Sequence, residues 1–82
     1  MDILSTENFE KDYKKCSKEE LRRVRELIDD IKADTFPGKR LHHLKNTYSF
    51  RIGNKRLVYN VEGGKAILLM LKSREGIYDY LR

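Results

Sequence analysis

The chain has 82 residues, 38% of them charged and 39% hydrophobic, with a net charge of +5 and one cysteine. That length holds one small domain, residues 1–82, with a thin core, and one cysteine excludes an intramolecular disulfide, which suits a reducing cytoplasm. The longest apolar run, Ala66 to Leu71, is too short to span a bilayer, and the N-terminus lacks the basic-then-apolar pattern of a signal peptide, so no membrane association is expected.

In chain order, Met1–Ser5 reads as a short first strand carrying Ile3 and Leu4. Thr6 or Ser5 can cap a first helix, in which Phe9, Tyr13 and Cys16 recur at spacings of four and three and so share one face. Ser17-Lys-Glu-Glu20 is a capping box. Behind it, Leu21, Val24, Leu27, Ile28 and Ile31 form the apolar stripe of a second helix whose other face is charged. Phe36-Pro37-Gly38 marks its end. Residues 37–46 read as a connecting loop carrying Lys39, Arg40, His42, His43 and Lys45.

Three strands follow, at about Thr47–Ile52, Lys55–Val61 and Lys65–Lys72. They are joined by tight turns at Gly53-Asn54 and Gly63-Gly64. The third is apolar from Ala66 to Leu71, as expected of a strand covered on both faces. The tail, Ser73–Arg82, is a polar turn followed by Ile77, Tyr78, Tyr80 and Leu81. The fold class is therefore α+β, with a helix hairpin packed on one face of a small antiparallel sheet in the order β-α-α-β-β-β and a short C-terminal helix or tail.

The Gly53-Asn54 turn pairs Ile52 with Lys55, Arg51 with Arg56, and Phe50 with Leu57. Tyr48, Phe50, Ile52, Leu57, Tyr59 and Val61 then face the helices. Ser49, Arg51, Arg56, Val58 and Asn60 share the opposite face, and a slip of one residue would reverse this. Like charges directly opposite on a sheet are destabilising, so two facing arginines imply an anion between them. A planar guanidinium suits phosphate. Charge is also segregated along the chain: residues 1–37 carry 8 Lys+Arg against 10 Asp+Glu, and residues 38–82 carry 10 against 3. A one-sided basic surface attracts polyanions.

Other chemistry is poorly represented. No P-loop, dinucleotide fingerprint or nucleophile motif occurs. Cys16 lies on an apolar helix face, where a buried thiol is the ordinary reading. His42-His43 is an adjacent pair with no nearby cysteine or carboxylate, a poor zinc site, though either can carry a proton. Carboxylates in the basic half are limited to Glu62, Glu75 and Asp79. No metal or small-molecule cofactor is expected. What remains is a basic surface: Arg51, Arg56, Lys72, then Arg74, with Lys45 before the hairpin and Tyr78 four residues beyond Arg74. Each has a structural alternative; Arg74 can pair with Glu75 or Glu62, and Tyr78 can anchor the tail.

Five segments carry a resemblance: Phe9-Glu-Lys-Asp-Tyr13, Gly38-Lys-Arg-Leu41, Tyr48-Ser-Phe-Arg-Ile52, Lys55-Arg-Leu-Val-Tyr59 and Lys72-Ser-Arg-Glu-Gly-Ile-Tyr78. Over nearly the whole chain their order resembles the RelE/ParE superfamily of microbial toxins. RelE-type members are mRNA endonucleases of the ribosomal A site that use the 2′-hydroxyl of the message as nucleophile without a metal. The resemblance gives Arg56, Arg74, Tyr78 and Arg51 catalytic places, and Lys45, Lys55, Lys72 and Arg40 are candidates for RNA binding. Arg51 stands where RelE has a catalytic lysine, and Ser49 occupies another position that is lysine in RelE. The implied partners are mRNA, the ribosome and a cognate antitoxin. ParE-type members share the fold but poison DNA gyrase, and an inactive homologue would keep only antitoxin binding. The Arg74…Tyr78 pattern and the hairpin cations favour the nuclease branch.

Overall fold

The structure is a computed structural model and describes residues 1–73. The expected C-terminal helix or tail lies outside the described residues. Strand β1 (Asp2–Ser5) leads into helix α1 (Glu7–Tyr13) and helix α2 (Lys18–Lys32). Strands β2 (Lys39–Arg40), β3 (Thr47–Ile52), β4 (Lys55–Glu62) and β5 (Lys65–Ser73) complete the order.

Both helix starts follow from local chemistry. The Thr6 hydroxyl accepts from the Phe9 N–H and fixes the first turn of α1. At α2, Ser17 and Glu20 exchange side-chain-to-backbone bonds in a complete capping box. The stripe behind it reaches the core, with Val24, Leu27 and Ile31 fully buried. The helix stops earlier than Pro37 requires. Asp34 takes the left-handed conformation after the Ala33 C-cap. The N–H groups of Asp34 and Thr35 then bond the carbonyls of Ile31 and Asp30, a Schellman closure with aspartate where glycine is usual.

The sheet has five strands in the order β1-β5-β4-β3-β2. Three pairings are antiparallel, and β1 lies parallel to β5, so the sheet is mixed. Strand β2 was read from sequence as loop; a two-residue strand has no periodicity to reveal it. The β3–β4 register is the one the hairpin turn implies, with Arg51 opposite Arg56 and Phe50 opposite Leu57. Gly53 has φ +60° while Asn54 stays at negative φ, the signature of a type II′ turn. Gly63 and Gly64 are both positive, as type I′ requires.

The helix hairpin covers one face. Phe9, Val24, Leu27, Ile31, Ile52, Leu57, Tyr59, Ala66, Leu68 and Leu71 form its core, with Tyr48, Phe50 and Val61 packed against it. A bulge between Val58 and Tyr59 gives β5 an extra residue, so Leu68 pairs with Tyr59 and Met70 with Val58. Met70 thereby reaches the far face and joins Val58 in a second small cluster flanked by Leu41 and Leu69. The unbroken apolar run of β5 thus serves both faces.

Where β1 ends, the free edge of β5 is finished by α1. The Thr6 N–H donates to the Leu68 carbonyl, and its hydroxyl to the Leu69 carbonyl at 2.6 Å. The buried Asp12 carboxylate accepts from the Leu71 N–H at 3.1 Å and from the Lys72 ammonium at 3.1 Å. A side chain thus takes the place of a strand along this edge.

Of the described glycines, Gly38 makes the tightest contact. It has φ +106°, and a Cβ there would lie 2.5 Å from the Ser49 carbonyl oxygen. Gly38→Ala therefore adds a backbone clash to a strained φ, and a loss of about 1–3 kcal/mol is expected. Gly53→Ala, with open space around it, should lose less. Urea unfolding of both variants checks the ranking, and equal midpoints would contradict it.

Candidate nucleic-acid interface

The sheet face turned away from the helices is built in cross-strand rows. Nearest the hairpin turn, Arg51 faces Arg56 and Arg56 faces Lys72. In the next row Lys39 faces Ser49, Ser49 faces Val58, and Val58 faces Met70. Farther along, Thr47 faces Asn60 and Asn60 faces Ile67. Directly opposite residues in an antiparallel pair have Cβ atoms about 4.5–5.5 Å apart. Three cations therefore stand side by side at one end of this face.

Their surroundings differ. Arg51 is exposed, and its Nε donates to the Gly53 carbonyl at 3.2 Å across the turn. Arg56 is half-buried and has no carboxylate partner among the described residues. Arg51, Gly53, Asn54, Lys55 and Arg56 line a shallow depression of about 190 Å³ at the hairpin end. Lys72 belongs to the row by register, but its ammonium is drawn to Asp12, with side-chain exposures of 31% and 10%. Its charge is largely answered there.

The other candidates lie elsewhere. Lys55 pairs with Ile52 and so emerges on the helix side. Its ammonium meets Glu20 at 3.2 Å, with side chains only 23% and 20% exposed, and approaches the Cys16 sulfur at 4.0 Å. Arg40 pairs with Tyr48, which also assigns it to the helix side, at the sheet edge. Lys45 precedes β3, at the opposite end of that strand from Arg51. Its carbonyl accepts from the Thr47 hydroxyl and the Asn60 amide. Arg74 and Tyr78 lie outside the described residues.

Two further points bear on chemistry. Burial pushes the Cys16 thiol above its ordinary value, outweighing the opposite pull of Lys55, so it stays protonated and a poor nucleophile. Among the described residues no group of three His, Cys, Asp or Glu side chains is placed to hold a metal, and no helix is long and apolar enough to cross a membrane. The face can bind anions and stabilise developing negative charge. Sequence reasoning missed Lys39 as part of it. The only signal was the spacing of Lys39 and Leu41 after Gly38, too short to reveal a strand.

The Ser49 hydroxyl, on a residue 5% exposed, has no hydrogen-bond partner among the described residues.

The Glu20 carboxylate accepts the Ser17 N–H and, with Lys55 also helping, is held below its ordinary value of 4.5 against the effect of burial. A depressed carboxyl stabilises the fold above its unfolded value, and that contribution is lost as pH falls through the folded one. Glu20→Gln should therefore lower stability near neutrality by less than about 1 kcal/mol, with the deficit vanishing well below pH 4.5. Urea unfolding at both pH values tests this; a deficit that persists in acid would contradict the assignment.

No protein-family model and no curated protein matches the sequence. Solved structures do match. The RelB–RelE antitoxin–toxin complex from Methanococcus jannaschii has a TM-score of 0.81 and 25% identity over 96% of this chain and 99% of that one. The YoeB dimer from Staphylococcus aureus gives 0.76 and 24% over 90% and 97%. A YoeB/ParE toxin from Agrobacterium tumefaciens gives 0.75 and 19% over 90% and 99%. The chain thus has the fold of the RelE/ParE toxin superfamily.

Proposed function

We propose that this protein, as a single domain over residues 1–82, is the toxin of a type II toxin–antitoxin pair and cleaves mRNA in the ribosomal A site. The observation that supports this reading best is the opposed Arg51–Arg56 pair on the face away from the helices. A scissile phosphate between two guanidiniums would remove their repulsion and accept hydrogen bonds from both. In the proposed step the 2′-oxygen attacks the adjacent phosphorus and gives up its proton. The P–O5′ bond breaks, leaving a 2′,3′-cyclic phosphate and a protonated 5′-hydroxyl.

Arg51 and Arg56 are suited to stabilising the charge that builds on the non-bridging oxygens. Arginine is not suited to accepting the nucleophile's proton, because it does not deprotonate. The resemblance implies that Tyr78 is the C-terminal tyrosine associated with catalysis and stacking and that Arg74 is the arginine beyond the last strand; which residue accepts the proton stays open. The step as proposed uses no metal. A cognate antitoxin is the proposed partner, by analogy with the RelB–RelE complex, and the cytoplasm, with its ribosomes, is the proposed setting.

A second reading has its own support. One structural neighbour carries the ParE name, and Ser49 stands where RelE has a lysine. Under that reading the protein inhibits DNA gyrase, or keeps only antitoxin binding. Translation-coupled cleavage assays and gyrase supercoiling assays on the purified protein separate the readings. Arg56→Ala and Arg74→Ala should each slow cleavage on the order of 10²-fold or more. Equal cleavage by both variants and the parent would remove the site assignment. Gyrase inhibition without RNA cleavage would replace the function.

A further inference from the structure

Lys39 was expected in a loop, and the structure puts it in a strand. Strand β2 is held firmly in place. The Tyr59 hydroxyl donates to the Pro37 carbonyl, and the Leu41 N–H donates to the Thr47 carbonyl at 2.8 Å. Gly38 packs so closely on Ser49 that no Cβ fits between them. Between these fixed points Lys39 lies directly opposite Ser49. It therefore shares the face of Arg51 and is its diagonal neighbour, roughly 7–8 Å away and within reach of long side chains.

Two properties distinguish it from the other lysines near this face. Lys39 is exposed and has no carboxylate partner among the described residues, whereas Lys72 is tied to Asp12 and Lys55 to Glu20. The side chain between Lys39 and the arginines is the small, buried Ser49, so nothing bulky separates the charges. The uncompensated cations of the described face are then Lys39, Arg51 and Arg56. Arg51 and Arg56 stand directly opposite each other and Lys39 one row along on the next strand, so the three span three strands as a polyanion backbone crossing the sheet would require.

We propose that Lys39 is a phosphate-binding residue of this face, holding the RNA phosphate adjacent to the one between Arg51 and Arg56. It supplies from the edge strand the positive charge that Ser49 does not supply from β3. This deepens the RNA-binding reading above and rests on it.

The test is binding of the intact protein to a short single-stranded RNA, made uncleavable by 2′-O-methylation, followed by fluorescence anisotropy across a range of salt concentrations. Each phosphate neutralised on a single strand contributes a slope of about 0.7 to the fall of log affinity with log salt. Lys39→Gln should reduce the slope by about that amount. Lys39→Arg should retain it, and Lys32→Gln, on the helix layer, should leave it unchanged. Unaltered slope and affinity in Lys39→Gln, alongside a reduced slope in Arg56→Gln, would overturn the role of Lys39 while leaving the RNA reading intact. A parent protein with no measurable affinity, or one unaffected by Arg56→Gln, would overturn both. Thermal melting of Lys39→Gln matching the parent ensures that the change reports binding.

Discussion

Everything on this molecule depends on the register between β3 and β4. The type II′ turn at Gly53-Asn54 sets it, and the side-chain period of two does the rest. With Ile52 and Leu57 buried, Arg51 and Arg56 are forced to the other face together. The magnitudes show which effect wins. Fully burying a Leu, Ile or Phe side chain is worth about 1.5–3 kcal/mol, and several such side chains would be lost in a slip. Two unit charges 4 Å apart in water repel by about 1 kcal/mol. The core therefore dictates where the arginines emerge, and their repulsion is a tolerated cost. Burial accounts for their position, but not for the choice of arginine at both sites. That choice makes sense if an anion is shared between them.

The helix hairpin does more than cover one face; it also determines which cations remain available. Through Asp12, α1 completes the edge of β5 and engages Lys72. Through Glu20, the start of α2 engages Lys55. Both pairs are mostly shielded from solvent, so they are screened less than surface pairs such as Arg22 with Glu19 and Glu26. Counting basic residues in the strand half overstates the charge open to a ligand, because part of it is answered by the acidic half. The segregation of charge along the sequence is partly undone by folding. What stays uncompensated lies in two adjacent rows that span β2 to β4.

Much of this was legible in the sequence. The capping box, the stripe on α2 and the three long strands each carry a strong local signal, and the hairpin register followed from one turn. The features that stayed hidden are those that depend on distant pairing or on very short elements. The parallel match of β1 to β5 joins the two ends of the described chain, and no local pattern encodes it. Strand β2 is two residues long. Asp34 ends α2 in a conformation that composition would assign to glycine. Lys72 shows the limit of alternation as a guide: its strand position gives the arginine face, yet its long side chain reaches Asp12. Lys55 is the converse case. Its pairing with Ile52 already implied the helix side, and its charge alone made it a candidate for RNA.

Ser49 ties these strands of argument together. Its buried hydroxyl has no partner among the described residues, a cost of about 1–3 kcal/mol where none is supplied. Gly38, just before β2, lies closer to the Ser49 carbonyl than any residue with a Cβ could. That close approach brings Lys39 alongside. A lysine on β3 and a lysine on the neighbouring strand present their charge to the same side of the sheet, separated by about one strand spacing, ~4.8 Å. Lys39 thus brings to this row a charge that Ser49 does not. On the proposed nuclease reading, activity then turns on the charge of the whole row together with a group able to accept a proton, rather than on residue 49 alone.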